Sequence, residues 1–308
     1  MPARAPALCL VGSGALGLAL DAAQCLLAPL LEVPILRAAS FDRCVVPEGT
    51  AVVAAAFDGA VPEVAHQLSM LARGASSLVL LSARGPLRDS VQSEGGSTID
   101  LDPRWPDPRS AFTEVVAAVL LGAAPSLSTS LAEAAAALTL RAGELEDAQA
   151  PTAQLARALD RSFPVVTGLG GLGSVAARRL KSQVNEHAKS PAFWAAYPQI
   201  AYDEVAGYGQ NGDVTRQVLA LVEVRHDQEH PIDRCRRDAV VAQLEETFRV
   251  RLELTAAPGD PVLQLLDLCL AGDLVALRLA ERYGIDPGPV PAISEVKAQV
   301  AALFDPTA

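Results

Sequence analysis

The chain has 308 residues, half of them hydrophobic, and a formal charge of −11 at neutral pH. Its length exceeds what one core usually fills, so two domains of about 150 residues are expected. The acidic balance excludes a nucleic-acid surface, which needs Lys and Arg against phosphates, and no stretch reaches the about 18 unbroken apolar residues of a membrane span.

Aromatic residues are scarce at 4%, so cores must be built from Leu, Val and Ala, as suits helices packed on parallel strands. The five cysteines (Cys9, Cys25, Cys44, Cys235, Cys269) are odd in number, widely spread and without a CxxC pair. Reduced thiols in a cytoplasmic, soluble protein are expected. The opening MPARAPALCLVGSG runs directly into a glycine turn, unlike a signal peptide or an anchor.

In chain order, ALCLV at 7–11 is a predicted strand closing on Gly12, followed by a helical pattern over 16–31. Apolar runs at 33–36, 50–57 and 76–82 alternate with helical segments such as 62–73. That βαβαβ rhythm predicts a parallel, doubly wound sheet. An alanine-rich helical stretch over 110–140 is broken at Pro125, and the acidic segment 144–150 before Pro151 marks the domain crossing. The second half repeats the opening: a helix over 152–160, a strand FPVVTG at 163–168, a glycine-rich turn at 169–173 and a helix through Lys189. Strands at 218–226 and 250–256, a helix over 232–248, and closing helices over 261–283 and 291–304 complete the pattern. The repeated rhythm suggests duplication.

Gly12, Gly14 and Gly17 spell GxGxxG between a strand and a helix, where backbone N–H groups can hold a pyrophosphate. An NAD(P)-binding protein is therefore one alternative. The acidic residue that would take the ribose hydroxyls is missing, and Arg37 stands near its place, where it would meet a 2′-phosphate. The same glycines also serve to pack a helix tightly onto a strand without any ligand.

His66, His187, His226 and His230 have no metal-ligand spacing, so no metal site is expected, and HDQEH at 226–230 is taken as a solvated loop. Arg234, Arg236 and Arg237 among acidic neighbours are taken as a surface ion-pair cluster.

The segment KSQVNEHAKSPAFW at 181–194 places Gln183, Asn185, Glu186 and Lys189 on one predicted helix, and PQIAYDEVAGYG follows at 198–209. With the C-terminal LRLAERYGIDPGPVPAISEVK, this order resembles the bifunctional phosphoglucose/phosphomannose isomerase family of two sugar isomerase (SIS) domains, over most of the chain. The resemblance implies an α/β fold of two SIS-type subdomains, 1–150 and 151–308, each a mainly parallel, flavodoxin-like doubly wound sheet flanked by helices. It implies an aldose–ketose isomerase of glucose 6-phosphate and mannose 6-phosphate that needs no cofactor, a homodimer with the site at the subunit interface. Glu186 matches the family's proton-transfer base, Arg109 in PRSA the enediolate clamp, and Lys297 the lysine near the ring oxygen.

The chain departs from the family at the ring-opening histidine, where Tyr202 stands, and at the phosphate-holding turns. The first turn reads GSGAL, with Leu16 in place of a hydroxyl, and the second reads AAFDGAVPE at 55–63. Asp58 there repels a phosphate by about 1 to 4 kcal/mol per unit charge at 4 Å. Gly12, Gly14, Asp58, Gly59 and Ser82 are the candidate substrate-binding positions, with Arg84 as a compensating charge. A chemically silent SIS-fold protein that binds or senses a sugar phosphate or nucleotide sugar is the main alternative to an active isomerase.

Overall fold

The computed structural model describes residues 5–59 and 61–303. They divide into two compact units, one built from residues up to Ser128 together with Pro291 onward, the other from Thr129–Val290. The first unit runs β1 (Leu8–Val11), α1 (Gly14–Leu27), β2 (Ile35–Ala38), β3 (Ala51–Ala55), α2 (Pro62–Leu71), β4 (Ser77–Ser82), α3 (Leu87–Ser93), β5 (Ser97–Asp100) and α4 (Phe112–Ala123). The second runs α5 (Ser128–Glu146), α6 (Pro151–Leu159), β6 (Phe163–Gly168), α7 (Gly170–His187), β7 (Phe193–Ala196), α8 (Glu204–Tyr208), α9 (Gly212–Val218), β8 (Leu219–Arg225), α10 (Pro231–Gln243), β9 (Val250–Thr255) and α11 (Pro261–Tyr283). The last helix, α12 (Pro291–Leu303), belongs to the first unit, and Phe304, the expected end of that helix, lies outside the described residues.

In the first unit the strand order is β2-β1-β3-β4-β5, with every described pair parallel and Leu8 in register with both Ile35 and Ala51. β1 is buried at all four positions because helices cover both faces, which is why its sequence is a continuous apolar run rather than an alternation. Cys9, Val11, Val52, Ala54, Leu78 and Leu80 share one face with Val64, Leu68 and Leu71 of α2, and α1 packs with α4. β5 is largely exposed, with only Thr98 half-buried. Sequence patterning passes over it because a short edge strand facing water needs no apolar signature.

The second unit has strand order β7-β6-β8-β9, again all parallel. Val165 and Leu221 meet Val240, Val241, Leu244 and Phe248 on one face. α7, α6 and the 23-residue α11 pack together in the same unit. α11 has the boundaries its sequence predicts. Asp260 accepts from the Leu263 N–H at 2.8 Å at its start, and Gly284 turns left-handed (φ 65°) at its end. β7 is another edge strand that patterning misses, with Phe193 and Trp194 partly in water.

Three sequence expectations are corrected here. His226 and Glu229 are buried rather than solvated: His226 Nε2 lies 2.9 Å from the Leu169 carbonyl, and Glu229 takes Arg225 Nε and Nη2 at 2.8 and 2.9 Å. Arg237 is also buried, 3.4 Å from Glu223, a carboxylate inside the apolar run of β8 that Arg251 Nε reaches at 2.5 Å. A carboxylate in a fully covered strand draws guanidiniums inward, because an unpaired buried charge is costly. Lastly, α7 stops at His187, and Lys189 lies beyond it with φ 51°.

Candidate active site

The glycine turn after β1 is held from inside the chain. Arg37 donates through Nη1 to the Leu10 carbonyl at 2.5 Å and through Nη2 to those of Gly12 and Gly17 at 3.3 and 2.9 Å, while its Nε meets Asp21 at 2.7 Å. With these bonds the guanidinium fixes the turn, a structural use of the residue that would meet a 2′-phosphate in an NAD(P) protein. A Cβ at Gly17 would lie 2.8 Å from the Gly12 oxygen, so close packing accounts for the spacing of the glycines. Gly14 has φ 58° and open space around it.

Asp58 and Gly59 form the turn between β3 and α2, and a Cβ at Gly85 would fall 1.9 Å from the Asp58 carbonyl, so the turns after β3 and β4 touch through bare backbone. Ser13 Oγ donates to Glu63 Oε1 at 2.5 Å, linking the β1 turn to the first turn of α2. Ser82 is fully buried and its hydroxyl donates to the Arg84 carbonyl at 2.8 Å. The Arg84 guanidinium stands 5.5 Å over the Phe57 ring. Lys297, from α12, comes within 3.9 Å of Asp58, so two candidate residues far apart in sequence meet in the first unit. Arg109 lies just before α4, buried, with Nε 2.9 Å from Asp107 Oδ2. Asp107 also accepts from the Ser110 N–H and hydroxyl at 3.1 and 3.0 Å, which fixes the pair at the helix start.

In the second unit Glu186 sits half-buried in the last turn of α7. Its neighbours fix that turn. Asn185 donates to the Ser190 carbonyl at 2.8 Å, and Lys189 folds back so that its ammonium donates to the Glu186 carbonyl. His187 Nδ1 lies 3.1 Å from the Pro287 carbonyl and Nε2 3.3 Å from the Gln183 amide nitrogen. A carbonyl only accepts, so Nδ1 carries the proton and Nε2 accepts from Gln183. Arg179, two turns earlier on α7, is a charged neighbour that sequence reading overlooked, although a spacing of seven on one helix is a readable signal. It is buried, and although burial opposes its charge, Asp273 at 3.0 and 2.6 Å, with Glu186 behind it, keeps the guanidinium protonated. Tyr202 is 71% exposed, with the Arg236 guanidinium 6.0 Å from its ring centre.

Residues 148–300 match the family described as bacterial phospho-glucose isomerase C-terminal SIS domain. A bifunctional phosphoglucose/phosphomannose isomerase from Caldicellulosiruptor bescii is 23% identical over 88% of this chain and 86% of its own. Another from Aquifex aeolicus is 31% identical over 40% of this chain and 38% of its own. A glucose-6-phosphate isomerase like protein from Thermus thermophilus superposes with a TM-score of 0.65 at 18% identity, covering 97% of this chain and 89% of its own. Two parallel sheets flanked by helices, shared with such neighbours, define an α/β protein of two SIS-type subdomains. Together with the sequence matches, among which the family model runs through the Glu186 segment, they assign the chain to the bifunctional phosphoglucose/phosphomannose isomerase family.

Proposed function

We propose that the protein is an aldose–ketose isomerase in which Glu186 is the base. In this reaction the carboxylate takes the proton from C2 of an open-chain aldose, the electron pair passes to the carbonyl oxygen as an enediolate, and the proton returns to C1 while the hydroxyl proton of O2 passes to O1, leaving the carbonyl at C2. A carboxylate suits the task because it accepts and gives back the same proton. Arg109, whose planar guanidinium presents several N–H donors, stabilises the negative oxygens. Lys297 and Tyr202 serve ring opening. The observation that carries this reading is the fixing of the Glu186 turn: Lys189, Asn185 and His187 hold its backbone, and Arg179 lends positive charge on the same helix face.

The names of the relatives point to glucose 6-phosphate and mannose 6-phosphate as the substrates, each exchanging with fructose 6-phosphate. We extend the proposal to a homodimer in the cytoplasm. The cysteines among the described residues are free, which fits a reducing compartment, and Ile293 and Val296 of α12 lie partly in water, as a surface awaiting a partner would. Tyr202, standing where the family has its ring-opening histidine and lying largely in water, is what favours the silent-binder reading.

A coupled assay from fructose 6-phosphate tests the proposal. Turnover that Glu186→Gln reduces by about 10²- to 10⁴-fold supports it. No turnover at high enzyme concentration leaves the silent binder.

A further inference from the structure

The cysteines are widely spread in the sequence, yet the first unit brings two of them together. Cys9 lies on β1, fully buried. Cys44 belongs to the connection from β2 to β3, whose residues 39–50 form no helix or strand of their own. Cys44 and Val46 pack against the core cluster that contains Cys9, while Val45 between them is 74% exposed. Gln67 holds the segment from α2, with Nε2 2.6 Å from the carbonyls of both Ser40 and Asp42. Placed in this way, the thiols of Cys44 and Cys9 share a hydrogen bond.

The two sulfurs differ in what reaches them. Burial, and after it the Cys44 thiol, pushes the Cys9 thiol up to about 12 against the opposing charge of Arg37. Cys44 is half-buried and lies on the water side of the pair. Oxidation of a thiol needs access as well as thiolate character, so Cys44 is the sulfur that meets an oxidant and Cys9 the one that resolves it.

We infer that Cys9 and Cys44 are a modification site, a dithiol that a peroxide converts to a disulfide within the chain. The Cys44 sulfur attacks one peroxide oxygen as the O–O bond breaks. Its proton leaves with the other oxygen as water, and Cys44 becomes a sulfenic acid. The Cys9 sulfur then attacks the Cys44 sulfur, the S–O bond breaks, and the departing hydroxide takes the Cys9 proton. Both thiols are oxidised and hydrogen peroxide is reduced to water. Contact between the sulfurs raises their effective concentration, which offsets the scarcity of Cys9 thiolate in the second step. The new bond ties residues 39–50 to the strand that leads into the Gly12 turn.

The test uses the full chain with Cys235→Ser, which removes the exposed thiol that would join two chains. It is treated with hydrogen peroxide, digested without reductant and read by tandem mass spectrometry. Peptides linked through Cys9 and Cys44, lighter by two hydrogens than the reduced pair and released by dithiothreitol, are expected before Cys25 is modified. Cys25 is the reference because it is also half-buried and burial pushes it up to about 11. Cys9→Ala is expected to abolish the link and let Cys44 run on to the sulfinic acid. Cys44→Ser, at the less buried position, covers a Cys9→Ala variant that fails to fold, and is expected to leave Cys9 unmodified. The inference is overturned if Cys44 reaches the sulfinic acid while Cys9 stays a thiol in the otherwise unsubstituted chain. A link from Cys44 to another cysteine, or modification of Cys25 ahead of the pair, overturns it equally.

Discussion

Arg179 carries the most structural weight of any charge near Glu186. Its guanidinium is buried and holds both oxygens of Asp273, so removing it leaves a carboxylate partly covered and unpaired. Arg179→Leu is expected to destabilise the protein by about 3 kcal/mol, read by urea denaturation. Residue identities of this kind were only partly legible. The Glu186 segment is unremarkable alone and is recognisable from the sequence only in combination with the PQIAYDEVAGYG and C-terminal segments that follow it. The job of Lys189 was hidden, because the helix ends two residues before it and the side chain turns back to bond the Glu186 carbonyl. Arg37 offers from sequence only a weak case for a ligand group, and its donors go to carbonyls that the sequence does not reveal as neighbours.

At the scale of elements, the buried strands and long helices follow from apolar runs and from turn residues, so β1, β3, β4, β6 and β8 fall within the expected segments. The edge strands β5 and β7 do not, since one half-wet strand carries no run to detect. The second glycine turn illustrates a further limit. All of it after Leu169 already belongs to α7, which starts at Gly170, because the chain passes from β6 to the helix with Leu169 alone between them. A Cβ at Gly168 would lie 2.1 Å from the Gly173 oxygen, whereas one at Gly170 meets nothing within 4 Å and suffers only from φ 62°. Gly168→Ala is therefore expected to cost about 2 to 4 kcal/mol and Gly170→Ala about 1 to 2, a contrast that thermal denaturation of the two variants checks.

For the whole molecule, the two sheets share the order 2-1-3-4, with β7-β6-β8-β9 repeating β2-β1-β3-β4. That supports the duplication suggested by the rhythm of the sequence, and β5 has no counterpart in the second unit among the described residues. The return of α12 to the first unit was not legible, because a helix of mixed residues after Pro291 carries no mark of the surface it joins. Acid sensitivity is expected in the second unit. Burial alone would raise the Glu229 carboxyl, but the Arg225 guanidinium and the His226 N–H bring it below its ordinary 4.5, and Asp160 is likewise lowered by Arg282. Carboxyls lowered on folding stabilise fully above their ordinary values and lose that contribution as the pH falls through the folded ones. The melting temperature should thus drop below about pH 4.5, less steeply in Glu229→Gln. The central claim, that Glu186 moves a proton between two sugar carbons, is tested most directly by incubating the protein with fructose 6-phosphate, glucose and mannose in D₂O and following deuterium at C1 and C2 by NMR. Exchange by the wild-type protein with at least one of these sugars, lost in Glu186→Gln, is the predicted result; exchange that survives the substitution, or none with any sugar, would contradict it.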